Sequence, residues 1–180
     1  MPTPTGISRR IEHCLLNLQA NDYEAVLVNL FPAIDRTAKK RRPREGVGSR
    51  IKSFLTEEET LISAVTGNII SSISIDGVTL PDALYKFGRN PIMHEGELDE
   101  RLQIVDEGVI QLGRRWILPL EYVIGMMVSV IVAPENKNEQ LRAEGAIQIL
   151  KHPFKINAIW GKKDLIKNHI NLHYGRNVFL

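Results

Sequence analysis

With a single cysteine, Cys14, the chain cannot form an internal disulfide. Its opening residues M-P-T-P-T-G lack the charged and then apolar pattern of a secretion signal. A reducing cytoplasm is therefore the expected compartment. The net charge of +2 is too small to imply nucleic-acid binding by itself, so any such contact must come from local clustering of cations. There is no Walker-type loop, no G-x-S-x-G elbow and no glycine-rich dinucleotide fingerprint, which removes the commonest nucleotide and acyl-transfer chemistries. The longest apolar run, Ile117 to Ala133, is broken by Pro119 and Glu121 and falls short of a comfortable bilayer span. It predicts a buried core helix and no membrane contact. His169 and His173 have the i, i+4 spacing that can bind a metal on a helix, and His152 is also in this quarter of the chain. No Glu follows His169 and no third ligand is identifiable, so no metal or other cofactor is expected.

The length of 180 residues and the 43% apolar content suit one core, and no linker-like stretch divides the chain, so residues 1–180 read as one domain. Ile7, Ile11, Cys14, Leu15 and Leu18 line one face of a first helix, which leaves Arg9, Arg10 and His13 as ordinary solvated neighbours. Asp22 caps a second helix with Tyr23, Leu27, Leu30, Ile34 and Ala38 on its stripe and a kink expected at Pro32. Thr56 and Glu59 form a capping-box pattern that predicts the start of a third helix. Pro81 opens a shorter helix ending near Gly88. After Gly96, the alternation in R-L-Q-I-V-D-E-G-V-I-Q-L-G predicts a β-hairpin turning at Asp106 to Gly108, with an amphipathic helix over Leu98 to Val105 as the alternative.

One turn concentrates chemistry. Arg89 to His94 read R-N-P-I-M-H. Asn90 followed by Pro91 is a favourable N-cap and first helical position, so a helix is expected to begin there. That would place Arg89 beside free backbone amides, a setting that favours an anion such as phosphate. His94 would sit one turn in, where the same field opposes protonation of an imidazole. A phosphate-holding Arg89, a proton-exchanging His94 and a positioning Asn90 make a nuclease-like set. The competing reading is a solvated or structural Arg and His pair, since short motifs arise often.

The stretch L-Y-K-F-G-R-N-P-I-M-H-E-G resembles the signature of the HEPN superfamily (higher eukaryotes and prokaryotes nucleotide-binding domains), with Arg89, Asn90 and His94 matching position by position. Upstream, Y-E-A-V-L-V-N-L-F-P-A-I-D-R-T-A is similar to a second-helix segment of such domains and puts Asp35 at an acidic position. The resemblance spans about residues 23–133 and leaves 134–180 as a C-terminal helical extension. It implies a mainly α, HEPN-like helical bundle and a homodimer in which two motifs meet. The activity it implies is metal-independent RNA cleavage of the toxin or phage-defence type, with a toxin–antitoxin or defence-system partner. Some members only bind, so a catalytically silent module that binds nucleic acid or a partner protein is the alternative.

Supporting roles fall to Tyr85, in the aromatic approach to the motif, and to Asp35, which could reach a cation such as Arg89 from another helix or serve as a surface charge. The basic run Lys39, Lys40, Arg41, Arg42 and Arg44, broken by Pro43, is the candidate RNA contact. It equally suits cations finishing a helix C-terminus and continuing into a mobile loop. Lys162, Lys163 and Lys167 follow Trp160, which reads as a core residue before it reads as a base-stacking platform.

Overall fold

A computed structural model describes residues 4–180, and they are mainly helical. Helix α1 (Gly6–Gln19) buries Ile7, Ile11 and Cys14 against α2 (Tyr23–Arg41), in line with the predicted stripe. Asp22 caps α2 as expected, its carboxylate accepting the Ala25 amide at 3.0 Å. The helix runs unbroken through Pro32. Helix α3 (Val47–Ala64) begins nine residues before the predicted start. Its N-cap is Gly46, which has no capping side chain, and Thr56 instead turns its hydroxyl back to the Lys52 carbonyl at 2.8 Å.

The apolar run folds as a short strand and then α6 (Leu120–Val132), which is buried on nearly every side. No helix among the described residues is long and apolar enough to cross a membrane. Helices α3 and α6 pack so closely that a Cβ on Gly125 would collide with the Ile62 carbonyl. One continuous apolar core runs from Ile7 to Ile170.

Strands β1 (Ser74–Ile75) and β2 (Val78–Thr79) form a two-residue antiparallel pair. The predicted hairpin after Gly96 does not form. Strand β3 (Leu102–Val105) does, but it pairs in parallel with β4 (Trp116–Pro119), in register Leu102 with Trp116 and Val105 with Pro119. Asp106 accepts the hydroxyl proton of Tyr23 on α2, and the chain then continues as a loop. Only Gln111 returns to bridge Ile117, while Val109 stays 64% exposed. Pairing β3 with β4 buries Trp116 and Leu118, an apolar gain the local alternation of residues 109–112 could not match.

Residues 134–180 are not purely helical. Strands β5 (Ala146–Ile149) and β6 (His152–Lys155) form an antiparallel hairpin whose turn is Leu150 and Lys151, both at positive φ (51° and 67°). A short helix α7 (Ile156–Ile159) and α8 (Lys163–Tyr174) follow, burying Ile156, Ile159, Ile166 and Ile170 in the common core. Trp160 is a core residue, 5% exposed, with its indole N–H donating to Asn157 at 3.3 Å.

The basic run closes this structure. The Arg41 guanidinium donates to Glu135 (2.8 Å), Glu57 (2.7 Å) and Glu58 (2.9 Å) and lies 4.9 Å from the centre of the Phe54 ring. Glu58 is fully buried and also pairs with Lys163 at the start of α8 at 2.6 Å. Lys40 bonds Glu139 and Asn136, and Arg42 pairs with Glu45 and Glu57. Burial pushes the Glu135 carboxyl up, but Arg41 outweighs it and holds the group below the ordinary Glu value. Thus one side chain fastens the end of α2 to α3, to the turn after α6 and, through Glu58, to α8.

Glu59 lies one residue on with no such cation. One carboxylate oxygen accepts the Ser72 amide at 2.7 Å, while the other is buried without a hydrogen-bond partner. Burial raises its pKa, and the Ser72 bond only partly offsets the rise.

Arg41→Met leaves the buried charge of Glu58 to Lys163 alone and releases Glu57 and Glu135, and is expected to cost about 3 kcal/mol in chemical denaturation, against under about 0.5 kcal/mol for Lys39→Met. Equal costs for the two would show that the network holds nothing together. For Glu59 the folded state holds its proton to higher pH than the unfolded state does. Its contribution to stability is therefore fully present below the unfolded value and is lost as pH rises toward the folded one. The Tm of Glu59→Gln should accordingly gain on wild type as pH is raised from about 4 to about 8, starting near the ordinary Glu value. A difference that stays flat across that range would refute the assignment.

Candidate functional site

The hexad is not a helix start. The chain is helical from α4 (Leu80–Ala83), capped by a Thr79 and Asp82 capping box, through a π-helical segment (Leu84–Arg89) into α5 (Asn90–Glu95). Asn90 has helical backbone angles (φ −65°, ψ −51°) and donates its amide five residues back, to Tyr85. The free amides expected beside Arg89 are therefore absent. His94 lies in the last turn before Gly96 ends the helix, so no N-terminal field acts on it.

The π turn directly precedes Pro91. A proline inside a helix lacks an N–H and crowds the carbonyl four residues back, here that of Phe87. The wider π turn relieves the crowding, and π turns of this kind often mark functional sites. The freed Phe87 carbonyl accepts the Asp99 amide at 3.1 Å. The Asp99 carboxylate in turn holds Arg101 at 2.8 Å, and the Arg101 guanidinium covers the Phe87 ring at 4.2 Å. Arg101 holds the Asp99 carboxyl down at about 2. Gly88 completes the fit, its bare backbone lying against Phe31 of α2 and Leu102 of β3.

Within this frame Arg89 is half-buried. Its guanidinium donates to the Asn90 side-chain oxygen at 3.1 Å and lies 5.7 Å from the centre of the Tyr85 ring. No carboxylate pairs with it among the described residues. The Tyr85 hydroxyl packs on the bare backbone of Gly48, and Lys52 approaches the same ring at 6.0 Å. Tyr85 thus packs beside Arg89.

Asp35 does not. It forms a two-pronged pair with Arg50 of α3 at 2.6 and 2.9 Å and serves the α2–α3 contact.

His94 is exposed beside Met93, which is itself 48% exposed. No hydrogen bond joins it to Arg89 among the described residues. In an α-helix, residues five apart sit about 140° apart around the axis, so one copy presents the two on different faces.

The structure does not bring the basic run to this site. Lys40, Arg41 and Arg42 are engaged by Glu135, Glu57, Glu58, Glu139 and Glu45, which corrects the expectation of a solvated polyanion contact. Lys39 and Arg44 remain exposed. Apart from Glu45, three residues on from Arg42, these carboxylates lie 15 to 99 positions away, and sequence alone could not assign them to these cations. His169 likewise meets the Ile149 carbonyl (3.3 Å) and the ring of His152 (5.2 Å between centroids), rather than His173.

The chain belongs to the Rv1289 family, whose model matches residues 6–180. It is similar to the proteins Rv1289 and MT1327 from two strains of Mycobacterium tuberculosis and to Mb1320 of Mycobacterium bovis. Each is 24% identical over 176 residues, covering 83% of this chain and 80% of the relative. No solved structure matches significantly. These names state no activity.

Proposed function

We propose that this protein is a HEPN-like, metal-independent RNA-cleaving enzyme that works as a homodimer in the cytoplasm, in a toxin–antitoxin or defence setting. The observation that carries the reading is Arg89. It is a half-buried guanidinium with no carboxylate, braced by Asn90 and Tyr85 on a π turn, while Arg41, Arg42 and Arg50 all meet acids. A cation held without a counter-ion suits an anionic ligand, and a phosphodiester offers two oxygens to its planar fork.

In the proposed reaction, His94 of one copy takes the proton of the ribose 2′-hydroxyl. The freed oxygen attacks phosphorus, and the bond to the 5′-oxygen breaks as that oxygen receives a proton from His94 of a second copy. Arg89 binds the charge that builds on the phosphoryl oxygens. The wide separation of Arg89 and His94 around one helix supports the need for two copies, since each can complete a half-site of the other. Exposed Met93 beside His94 gives that face an apolar contact.

The test is cleavage of end-labelled RNA in EDTA by wild type, His94→Ala and Arg89→Gln, each checked for folding and for dimer mass by light scattering. His94→Ala is expected to lose about 10²- to 10⁴-fold in rate while remaining folded. Equal inactivity of all three as folded dimers would replace cleavage with the binding-module reading.

A further inference from the structure

A second group of cations lies where helix α1 crosses helix α2, away from the π turn. Arg9, Arg10 and His13 project from the first turns of α1, and Arg36 reaches across from α2. Together with Gly6 and Pro32 they line a cavity of about 330 Å³. No acidic residue lines it. Phe31, next to Pro32, faces Gly88 of the π segment, so this cavity opens on another side of α2 from Arg89.

The acids nearest in sequence, Glu12 and Asp35, and Glu139 beside the start of α1 are each bonded elsewhere. Glu12 accepts the Arg142 amide at 2.6 Å, Asp35 holds Arg50 at 2.6 Å, and Glu139 takes Thr5, Ser8 and Lys40. Arg9, Arg10 and Arg36 form no ion pair among the described residues. Residues 1–3, Met-Pro-Thr, carry no side-chain carboxylate that could supply one.

Two contacts hold the group in place. Arg10 donates to the Asn29 side-chain oxygen at 2.9 Å, and Asn29 is anchored by its own bond to the Ala25 carbonyl at 2.9 Å. The Arg36 guanidinium rests on the backbone of Gly6, where any side chain would displace it. Three guanidinium groups with no acid paired to them repel one another, a cost that a multiply charged anion removes. Each guanidinium offers a planar fork matched to phosphate oxygens, and His13 can donate an N–H beside them. The volume falls at the lower end for ligand pockets.

From this arrangement we infer that the α1–α2 cavity is a binding site for a di- or triphosphate group, held by Arg9, Arg10 and Arg36 with His13 at its edge. The di- or triphosphate can belong to a free nucleotide, and the same guanidinium groups can instead hold neighbouring phosphodiesters of a nucleic acid. The site is independent of Arg89 and His94, and its test reads binding rather than cleavage.

Titration calorimetry with inorganic pyrophosphate at physiological ionic strength is expected to give one binding event per wild-type chain. Charge-assisted bonds of this kind are worth enough that Arg36→Gln should weaken binding about tenfold or more, and Arg9→Gln similarly. Among the described residues Arg36 makes no ion pair or hydrogen bond, so its variant should keep the wild-type Tm. Arg115→Gln, which removes an exposed cation elsewhere, should bind as wild type does. A short single-stranded DNA added to the same proteins separates the two sources. Competition with pyrophosphate that is lost in Arg36→Gln assigns the site to nucleic-acid phosphates, and pyrophosphate binding without DNA competition assigns it to a free nucleotide. No binding of pyrophosphate by wild type, or equal weakening by Arg115→Gln and Arg36→Gln, would overturn the site.

Discussion

The fold turns on Arg41. Its single guanidinium meets Glu57 and Glu58 of α3 and Glu135 just past α6, and Lys163 of α8 completes the charge balance around Glu58. A fully buried carboxylate is costly to desolvate and is tolerated only when paired with good geometry. The pairing therefore constrains more than it stabilises: α2, α3, α8 and the exit of α6 must all arrive together for Glu58 to be satisfied. Lys40 extends the arrangement to Glu139, which in turn receives Thr5 and Ser8 from the first turn of α1. Asn136, also fully buried, ties the same region to Thr37 and to the Val130 carbonyl. Polar contacts thus set the order of packing around an aliphatic core that, by itself, would accept several arrangements.

Proline 91 imposes a second constraint of a different kind. The helix continues past Gly88 to bury Ile92, although Pro91 lacks an N–H and crowds the carbonyl four residues back. Widening to a π turn resolves the conflict and leaves one carbonyl, that of Phe87, to be satisfied from outside. Asp99 does this through its amide, and its carboxylate recruits Arg101 to cover the Phe87 ring. The segment that follows the helix is thereby folded back over it before entering β3. Arg89 sits at the end of the widened turn, so its placement over Tyr85 is a by-product of how the chain accommodates proline.

The parts of this structure legible in sequence are those governed by neighbours in sequence. The α1 stripe, the Asp22 cap and the buried character of α6 all follow from spacing and from one side chain meeting a nearby amide. The start of α3 was not legible because Gly46 offers no capping side chain, while Thr56 mimics a cap and is spent on the Lys52 carbonyl. The β5–β6 hairpin was hidden because its turn uses Leu150 and Lys151 at positive φ, where glycine or asparagine is the usual signal. Its alternation, with Ile147 and Ile149 buried and Ala146 and Gln148 exposed, was the clue available. The parallel β3–β4 pair and the Asp35 partner depend on which elements meet in space, and no local pattern encodes that.

At the hexad, the motif residues were legible but their setting was not, and the difference changes the chemistry. A phosphate held at a helix N-terminus would rely on backbone amides; here the amide of Asn90 is already bonded to Tyr85, so a ligand at Arg89 must be held by side chains. That makes the absence of a competing carboxylate the relevant criterion. A net charge of +2 conceals how unevenly 23 basic and 21 acidic residues are used. Within the conspicuous run at Lys39 to Arg44, Lys40, Arg41 and Arg42 are neutralised by acids. Arg89, and the group of Arg9, Arg10 and Arg36, are left without acids although they are scattered through the sequence. Clustering along the chain identified the cations that build the fold, whereas those available to an external anion emerge only once each acid has been assigned its partner.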